Sequence, residues 1–370
     1  MSDLQQQVQT AIDELVASGA ERGLQVAVYK DGELVVDAVA GLADGETGRA
    51  LTSGTPIYSS STGKSLTSAV AHVLAEKGVL DYDTPIAEVW PEFAAHGKQD
   101  ATLRQVLDFT VGLPAVPPDT TPDDLVDWDK MTTVLAESEP WWEPGSKVGY
   151  HPQTFGWLVG EVVRRTTGKP ISAALAEHVT GPLGIDGEVF LGVPAERLDQ
   201  VAKLESAGPP IDFDQLEAMM PAFFKIAPRA VQLTPEMCNR ADYLTADIPA
   251  GGTVTARGVA KIYAALLGPV DGVRLISAER LEKIAQPSSQ GVDEIFSYPT
   301  AYALGYNMMR PVENPPAGPI IGWPGAGGSL ADADLGTGTA LAITKVSFTP
   351  GDYTTVGVIS DIVTKSLTPA

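Results

Sequence analysis

Apolar side chains recur at helical spacing from Leu4 to Val16 (Leu4, Val8, Ile12, Leu15, Val16), which predicts an amphipathic helix at the start of the chain. The pattern then changes to β-rich runs, Leu24 to Tyr29 and Glu33 to Val39, joined at Asp31-Gly32, a dipeptide that favours a tight hairpin. Past Ile57 an extended approach turns into a helix that starts at Ser61 and runs to about Lys77, with Leu66, Val70, Val73 and Leu74 as its buried face. Ala101 to Phe109, Leu125 to Ser138 and Gln153 to Thr167 predict further helices, the first two separated by the proline-rich loop Gly112 to Pro122. Ile211 to Asp247 mixes Met219, Met220, Phe223 and Phe224 with proline and polar residues and keeps no clean period. It reads as a covering segment or as irregular core, and residues 203–249 are a possible lid. Helices are expected at Thr255 to Leu267 and Ser277 to Ala285. Short β-like runs follow at Ala301 to Met308, Ile320 to Trp323, Gly328 to Ala333 and Ala340 to Val346, and a last helix at Thr354 to Thr364.

With β-like segments at both ends and helices between, the simplest assembly is α+β. Residues 1–60 and 250–370 build one antiparallel sheet flanked by helices, and 61–249 form an inserted, mainly helical region of the same catalytic unit. No internal repeat or low-complexity run divides the chain. Its 370 residues, 44% of them hydrophobic, suffice for a large core, and no apolar run reaches membrane-spanning length. The N-terminus lacks the basic start and apolar centre of a secretory signal, and the single cysteine, Cys238, rules out an internal disulfide. The expectation is a cytoplasmic protein. A net charge of −22 repels nucleic acid and anionic membrane and argues against a polyanionic substrate. It also favours protonated lysines, so a lysine acting as a base needs a dry site or positive neighbours.

Ser61 and Lys64 sit three residues apart where a helix begins, so they share one face and the amine can touch the hydroxyl. Free backbone N–H groups and the positive helix end gather at the same place, which suits an oxyanion. The plain alternative is a serine capping a helix with a solvated lysine in its first turn. Thr62-Gly63-Lys64-Ser65 also looks like the end of a phosphate-binding loop, but that loop needs glycine where Tyr58 stands. Farther on, Trp142-Glu143-Pro144-Gly145 fixes a rigid turn that presents Tyr150 just ahead of a helix. None of the four histidines (His72, His96, His151, His178) is at metal-ligand spacing, no Gly-x-Ser-x-Gly elbow is present, and no metal or cofactor is expected.

Three islands taken in order, Ser61-Thr62-Gly63-Lys64, Tyr150-His151-Pro152 before Phe155-Gly156-Trp157, and Gly322-Trp323-Pro324-Gly325-Ala326-Gly327-Gly328-Ser329, resemble the serine hydrolase superfamily of class C β-lactamases, D-Ala-D-Ala peptidases and family VIII carboxylesterases. The likeness spans nearly the whole chain and is greatest to the esterase branch. It implies a β-lactamase/transpeptidase-like fold, with Ser61 as acylated nucleophile, Lys64 as its proton acceptor and Tyr150 as proton relay. The same resemblance puts the N–H groups of Ser61 and Ala326 in the oxyanion hole and Trp323 at a substrate-contacting position; Gly325 and Gly327 suit close backbone approach to substrate or a tightly turning edge strand, and His151 substrate contact, positioning of Tyr150 or a local packing hydrogen bond.

The chain departs from the lactamase pattern at two places. Pro152 stands where Tyr-x-Asn has its amide, and Trp323 replaces the lysine of Lys-Thr-Gly, so the groups that grip a β-lactam side chain and carboxylate are missing. Both changes fit a neutral ester or amide among aromatics and disfavour β-lactamase or D-Ala-D-Ala peptidase action. Phe109 stands where relatives often carry a polar residue, a change with no account at this level. An acyltransferase or amide-forming enzyme of secondary metabolism, using the same acyl-enzyme, is the competing reading, and a non-catalytic binding module the control. Trp141, Trp142 and Trp157 are candidates for the pocket rim, Trp157 equally for core.

Overall fold

Strand Gly23–Lys30 is buried on both sides of its pleat, so it belongs in the middle of a covered sheet. A computed structural model, which describes residues 3–208, 212–310 and 318–367, places it there. The nine-stranded sheet runs Arg49–Ala50, Glu33–Asp44, Gly23–Lys30, Thr339–Lys345, Leu330–Asp334, Ile320–Pro324, Tyr306–Arg310, Pro299–Ala303, Ser289–Val292. Every neighbouring pair is antiparallel, and N-terminal and C-terminal strands meet where Val26 faces Ile343. Asp31 and Gly32 both take positive φ (51° and 85°), the turn that matches the twist of the flanking strands.

One sheet face, carrying Leu24, Val26, Val28, Leu341 and Ile343, is covered by the helices Asp3–Ala17 and Thr354–Leu367. The opposite face is lined by small side chains, Ala27, Ala331, Ala333, Ala340 and Ala342, against which the helix Ala256–Leu267 packs. The helices of 61–249 lie beyond it. Their centre is helix Lys64–Glu76, buried without interruption from Lys64 to Ala75, next to helix Thr154–Thr167.

Residues 249–252 thread against these two helices. At Gly63 an added Cβ would stand 2.1 Å from both Gly251 C and Gly252 N, and at Gly156 it would stand 2.4 Å from Ala250 N. Only hydrogen at both positions lets the backbone pass so close.

The structure departs from the sequence pattern in a few places. The run Ala301 to Met308 is two strands, reversed at Gly305 (φ 78°), because a glycine there permits a turn that alternation alone does not reveal. Ser289–Val292 is an edge strand that periodicity does not mark, since it is largely exposed and polar. Leu125 to Ser138 divides into Pro122–Leu125 and Trp128–Glu137, each with its own side-chain cap, Thr121 and Asp127. The helix expected from Ser61 begins its α-geometry at Lys64, after a single 3-10 turn, Ser60–Gly63. The irregular segment 211–247 resolves into short helices including Phe213–Met219 and Pro221–Ile226, while residues 209–211, within the lid expectation, lie outside those described. Cys238 is buried and unpaired, and among the described residues no helix is long and apolar enough to cross a membrane.

Gly63→Ala and Gly156→Ala push a methyl into backbone and are each expected to destabilise by about 1–3 kcal/mol. Gly357→Ala, in the open face of the last helix, serves as control and is expected to be neutral or stabilising. Guanidinium unfolding midpoints test this; equal midpoints for all three variants contradict the close-approach account.

Candidate active site

Ser61 is delivered by a short extended pair. Ile57 and Tyr58 face Val254 and Thr253, and Ser59 N–H donates to Gly252 O at 2.8 Å. Ser60 then takes φ 47°, a left-handed conformation that costs a non-glycine residue of order 1 kcal/mol. Two hydroxyls hold the turn. Ser329 Oγ donates to Ser59 O at 3.1 Å and meets Thr62 Oγ1 at 2.9 Å. Gly325 makes room for this, since a Cβ there would stand 2.5 Å from Ser59 O and 2.1 Å from Ser329 Oγ.

Lys64 is wholly buried and donates to Ser61 Oγ (2.9 Å), Pro152 O (2.6 Å) and Ala250 O (3.1 Å). Burial without a counter-ion disfavours the ammonium and holds Lys64 well below the ordinary lysine value. From the other side Tyr150 Oη donates to Ser61 Oγ at 2.8 Å. Burial raises this phenol above its ordinary value, which keeps it protonated. One hydroxyl thus lies within proton-transfer distance of a lysine driven toward its neutral amine and of a phenol, an arrangement able to run acyl transfer.

Phe109, unexplained by sequence, is the hub behind this group. With φ 63° it turns its ring into contact with Tyr302 (centroids 4.5 Å apart), Phe155 (5.1 Å), Trp323 (5.4 Å), Tyr150 (5.6 Å) and His151 (5.9 Å). A polar residue there would have to find partners among rings. Trp323 stacks on Tyr150 at 5.6 Å and donates its indole N–H to Gly305 O at 2.8 Å.

In front of Ser61 opens a cavity of about 370 Å³. Ser61, Tyr150, Trp323 and Ala326 line it with Phe213, Leu216, Met220, Phe223, Phe296 and Tyr298, and its described lining includes no charged side chain. Helix Phe213–Met219 lies in the segment read as a covering segment or irregular core, and the loop bearing Phe296 supplies a further wall that the sequence did not single out.

Three residues expected at substrate-contacting positions are not among the residues that line the cavity. His151 is 1% exposed and absent from the cavity lining; its Nδ1–H donates to Gly149 O (2.6 Å) and its Nε2 accepts from Leu113 N–H (2.9 Å), so both nitrogens serve the backbone. Gly325 and Gly327 flank the lining residue Ala326, and their missing side chains leave room for Ser59 and Ser329 and for Phe348 respectively. Trp142 is buried, donating to Thr110 O at 3.0 Å, and Trp157 is core, while Trp141 is exposed away from the site. Among the described residues no cluster of His, Cys, Asp or Glu has the geometry to hold a metal ion.

A family model described as Beta-lactamase matches residues 8–357. The chain belongs to the β-lactamase family. This β-lactamase-family chain is 34% identical over 342 residues to the esterase/β-lactamase LipL of Mycobacterium tuberculosis (strain ATCC 25618 / H37Rv), covering 87% of the chain and 76% of that protein. Its structure is similar to a family VIII carboxylesterase (TM-score 0.89, 30% identity, 99% and 98% of the two chains). It is also similar to a penicillin-binding protein homologue from Caulobacter crescentus (TM-score 0.83, 31% identity, 97% and 96%). The fold is β-lactamase/transpeptidase-like, and the protein is an esterase-like serine hydrolase of that fold.

Burial pushes His151 and His72 down to about 3, far below an unfolded histidine near 6.5. The unfolded chain therefore binds more protons in that window, so both histidines favour folding above pH 6.5 and lose this contribution as pH falls toward 3. In the folded protein their imidazole NMR shifts are expected to stay at neutral-form values from pH 8 to 5. A His151 midpoint near 6.5 would contradict its enclosure.

Proposed function

We propose that the protein hydrolyses small neutral esters through an acyl-Ser61 intermediate. The observation that carries the reading is the pair of hydrogen bonds converging on Ser61 Oγ, from Lys64 at 2.9 Å and Tyr150 at 2.8 Å, at the floor of an uncharged cavity. As Ser61 Oγ bonds to the ester carbonyl carbon, its proton passes to the neutral Lys64 amine. The oxyanion formed is held by the N–H groups of Ser61 and Ala326, each such donor contributing about 3–4 kcal/mol. When the carbon–oxygen bond to the alcohol breaks, Tyr150 Oη gives the leaving oxygen a proton and regains one from the Lys64 ammonium through the shared network. Water then attacks the acyl-enzyme by the same route in reverse, releasing the acid.

A described lining without a charged side chain supports a neutral substrate. Pro152 offers its carbonyl to Lys64 rather than an amide to the cavity, and Trp323 presents a ring face with its N–H turned away to Gly305. A substrate carboxylate would enter an aromatic box without a counter-charge. The apolar lining also favours a second reading, acyl transfer, because a cavity that holds little water gives an amine or alcohol the better chance at the acyl-enzyme.

Ser61→Ala is expected to abolish turnover of p-nitrophenyl butyrate, and Tyr150→Phe to lower it by about two to four orders of magnitude. Near-wild-type rates in either variant place the chemistry elsewhere. Lys64→Arg puts a permanent cation where a neutral amine is needed and cannot accept a proton, so its activity should drop by about three orders of magnitude or more and not recover at alkaline pH. In the wild type, kcat/KM should rise with pH along a limb lying well below the ordinary lysine value, in keeping with the direction in which burial moves Lys64; a rate flat from pH 5 to 9 would count against the lysine as base. Intact-protein mass spectrometry completes the test. Ester turnover without nitrocefin hydrolysis supports the esterase, an adduct on Ser61 that persists until an amine is added supports the transferase, and neither turnover nor adduct with either substrate sinks both.

A further inference from the structure

Tyr150 lies in a stretch, 147–151, that belongs to no helix or strand, so its backbone groups find partners one at a time. Gly149 N–H donates to Phe109 O at 3.1 Å, Gly149 O accepts from His151, and Pro152 O accepts from Lys64. The Tyr150 N–H itself is held by a side chain far away in sequence. Asp293, in the loop between strands Ser289–Val292 and Pro299–Ala303, accepts it on Oδ2 at 2.9 Å.

Asp293 is wholly buried, and among the described residues no lysine, arginine or histidine forms an ion pair with it. A carboxylate in that position is strongly disfavoured unless hydrogen bonds satisfy it. Its Oδ1 accepts from Ile295 N–H (2.8 Å) and Phe296 N–H (2.9 Å), which shapes the loop. Its Oδ2 reaches outward to Tyr150 N–H and, at 3.4 Å, to Tyr302 Oη. A loop cap needs only the first oxygen. The second ties the tyrosine to the loop that supplies Phe296 and Tyr298 to the cavity.

We propose that Asp293 is a positioning residue that sets the backbone of Tyr150 so that its phenol stays in hydrogen-bond reach of Ser61 Oγ. The proposal rests on the reading of Tyr150 as proton relay. Proton transfer needs heavy atoms about 2.6–3.2 Å apart, and a shift of about 1 Å can cost a hundredfold in rate. Asparagine at 293 has one acceptor oxygen for three backbone donors, so its amide must turn N–H groups toward one side. The loop offers two donors and Tyr150 one. The Tyr150 N–H is the contact that is lost.

The test is a double-mutant cycle on p-nitrophenyl acetate. Asp293→Asn should lower kcat by about 10- to 100-fold with KM changed by less than about threefold, while in Tyr150→Phe the same substitution should change kcat by less than about twofold, because no relay remains to position. Should Asp293→Asn not fold by near-UV circular dichroism, Asp293→Glu, which keeps the carboxylate but moves it by one methylene, goes through the same cycle. Unchanged kcat in a folded variant, or an equal loss in both backgrounds, overturns the proposal. So does failure of both variants to fold, which would make Asp293 a scaffold residue. Full activity of Tyr150→Phe on its own is a separate failure, that of the relay reading beneath it.

Discussion

A lysine amine taken out of water with no counter-charge is the condition that the rest of this structure answers. Lys64 is buried at the first turn of a buried helix, and the groups offered to it are two carbonyl oxygens and a hydroxyl rather than a carboxylate. A carboxylate would favour the ammonium and remove the base; carbonyls orient the nitrogen without adding a full negative charge. To bring those carbonyls in, two irregular segments must pass within van der Waals limits of two helices. The helices carry Gly63 and Gly156 at the crossings with residues 249–252. The chain's charge of −22 works against a neutral amine, and of the two remedies open to it, dryness or positive neighbours, the site uses dryness.

Burial alone does not make a site. Lys98 is also wholly buried and also donates to three oxygens, the carbonyls of Ala95, Ala136 and Ser138, and burial pushes it down to about 8. Its acceptors are all backbone, so it ties one stretch of chain to another. At Lys64 the third acceptor is a hydroxyl that also receives a phenol and faces a cavity. The difference between a structural and a chemical lysine here is one acceptor atom and what lies beyond it.

Much of the scaffold was legible because its periods are strong. The hairpin at Asp31-Gly32, the terminal helices and the Thr154–Thr167 helix each carry apolar residues at a spacing that admits one structure. The edge strand Ser289–Val292 was not legible because an exposed strand needs no apolar face. At the site, Ser61, Lys64 and Tyr150 were marked by motifs, and the structure brings them together. What surrounds them was hidden for physical reasons. Pro152 O and Ala250 O are backbone groups that any residue supplies, Asp293 acts from a loop with no motif, and Phe109 gains its meaning only from the five rings it meets. The place of His151 beside Tyr150 in the chain left substrate contact and a local hydrogen bond both open, and its ring is enclosed by Gly149 and Leu113.

The exchange of a cation for Trp323 has a consequence beyond substrate charge. A lysine at that position would press on Lys64 as a like charge, one way of keeping an amine neutral. Trp323 removes that push, and its ring lies 5.8 Å from Lys64 Nζ, with the Tyr150 ring at 5.1 Å. Ring faces at that distance attract an ammonium, so they work against the neutral form. Desolvation must outweigh them. This explains why the wall behind the site is so uniformly aromatic, from Phe109 and Phe155 to Tyr302. Each ring that excludes water from Lys64 helps offset the attraction of the two nearest it, and a polar side chain at Phe109 would weaken that balance from behind.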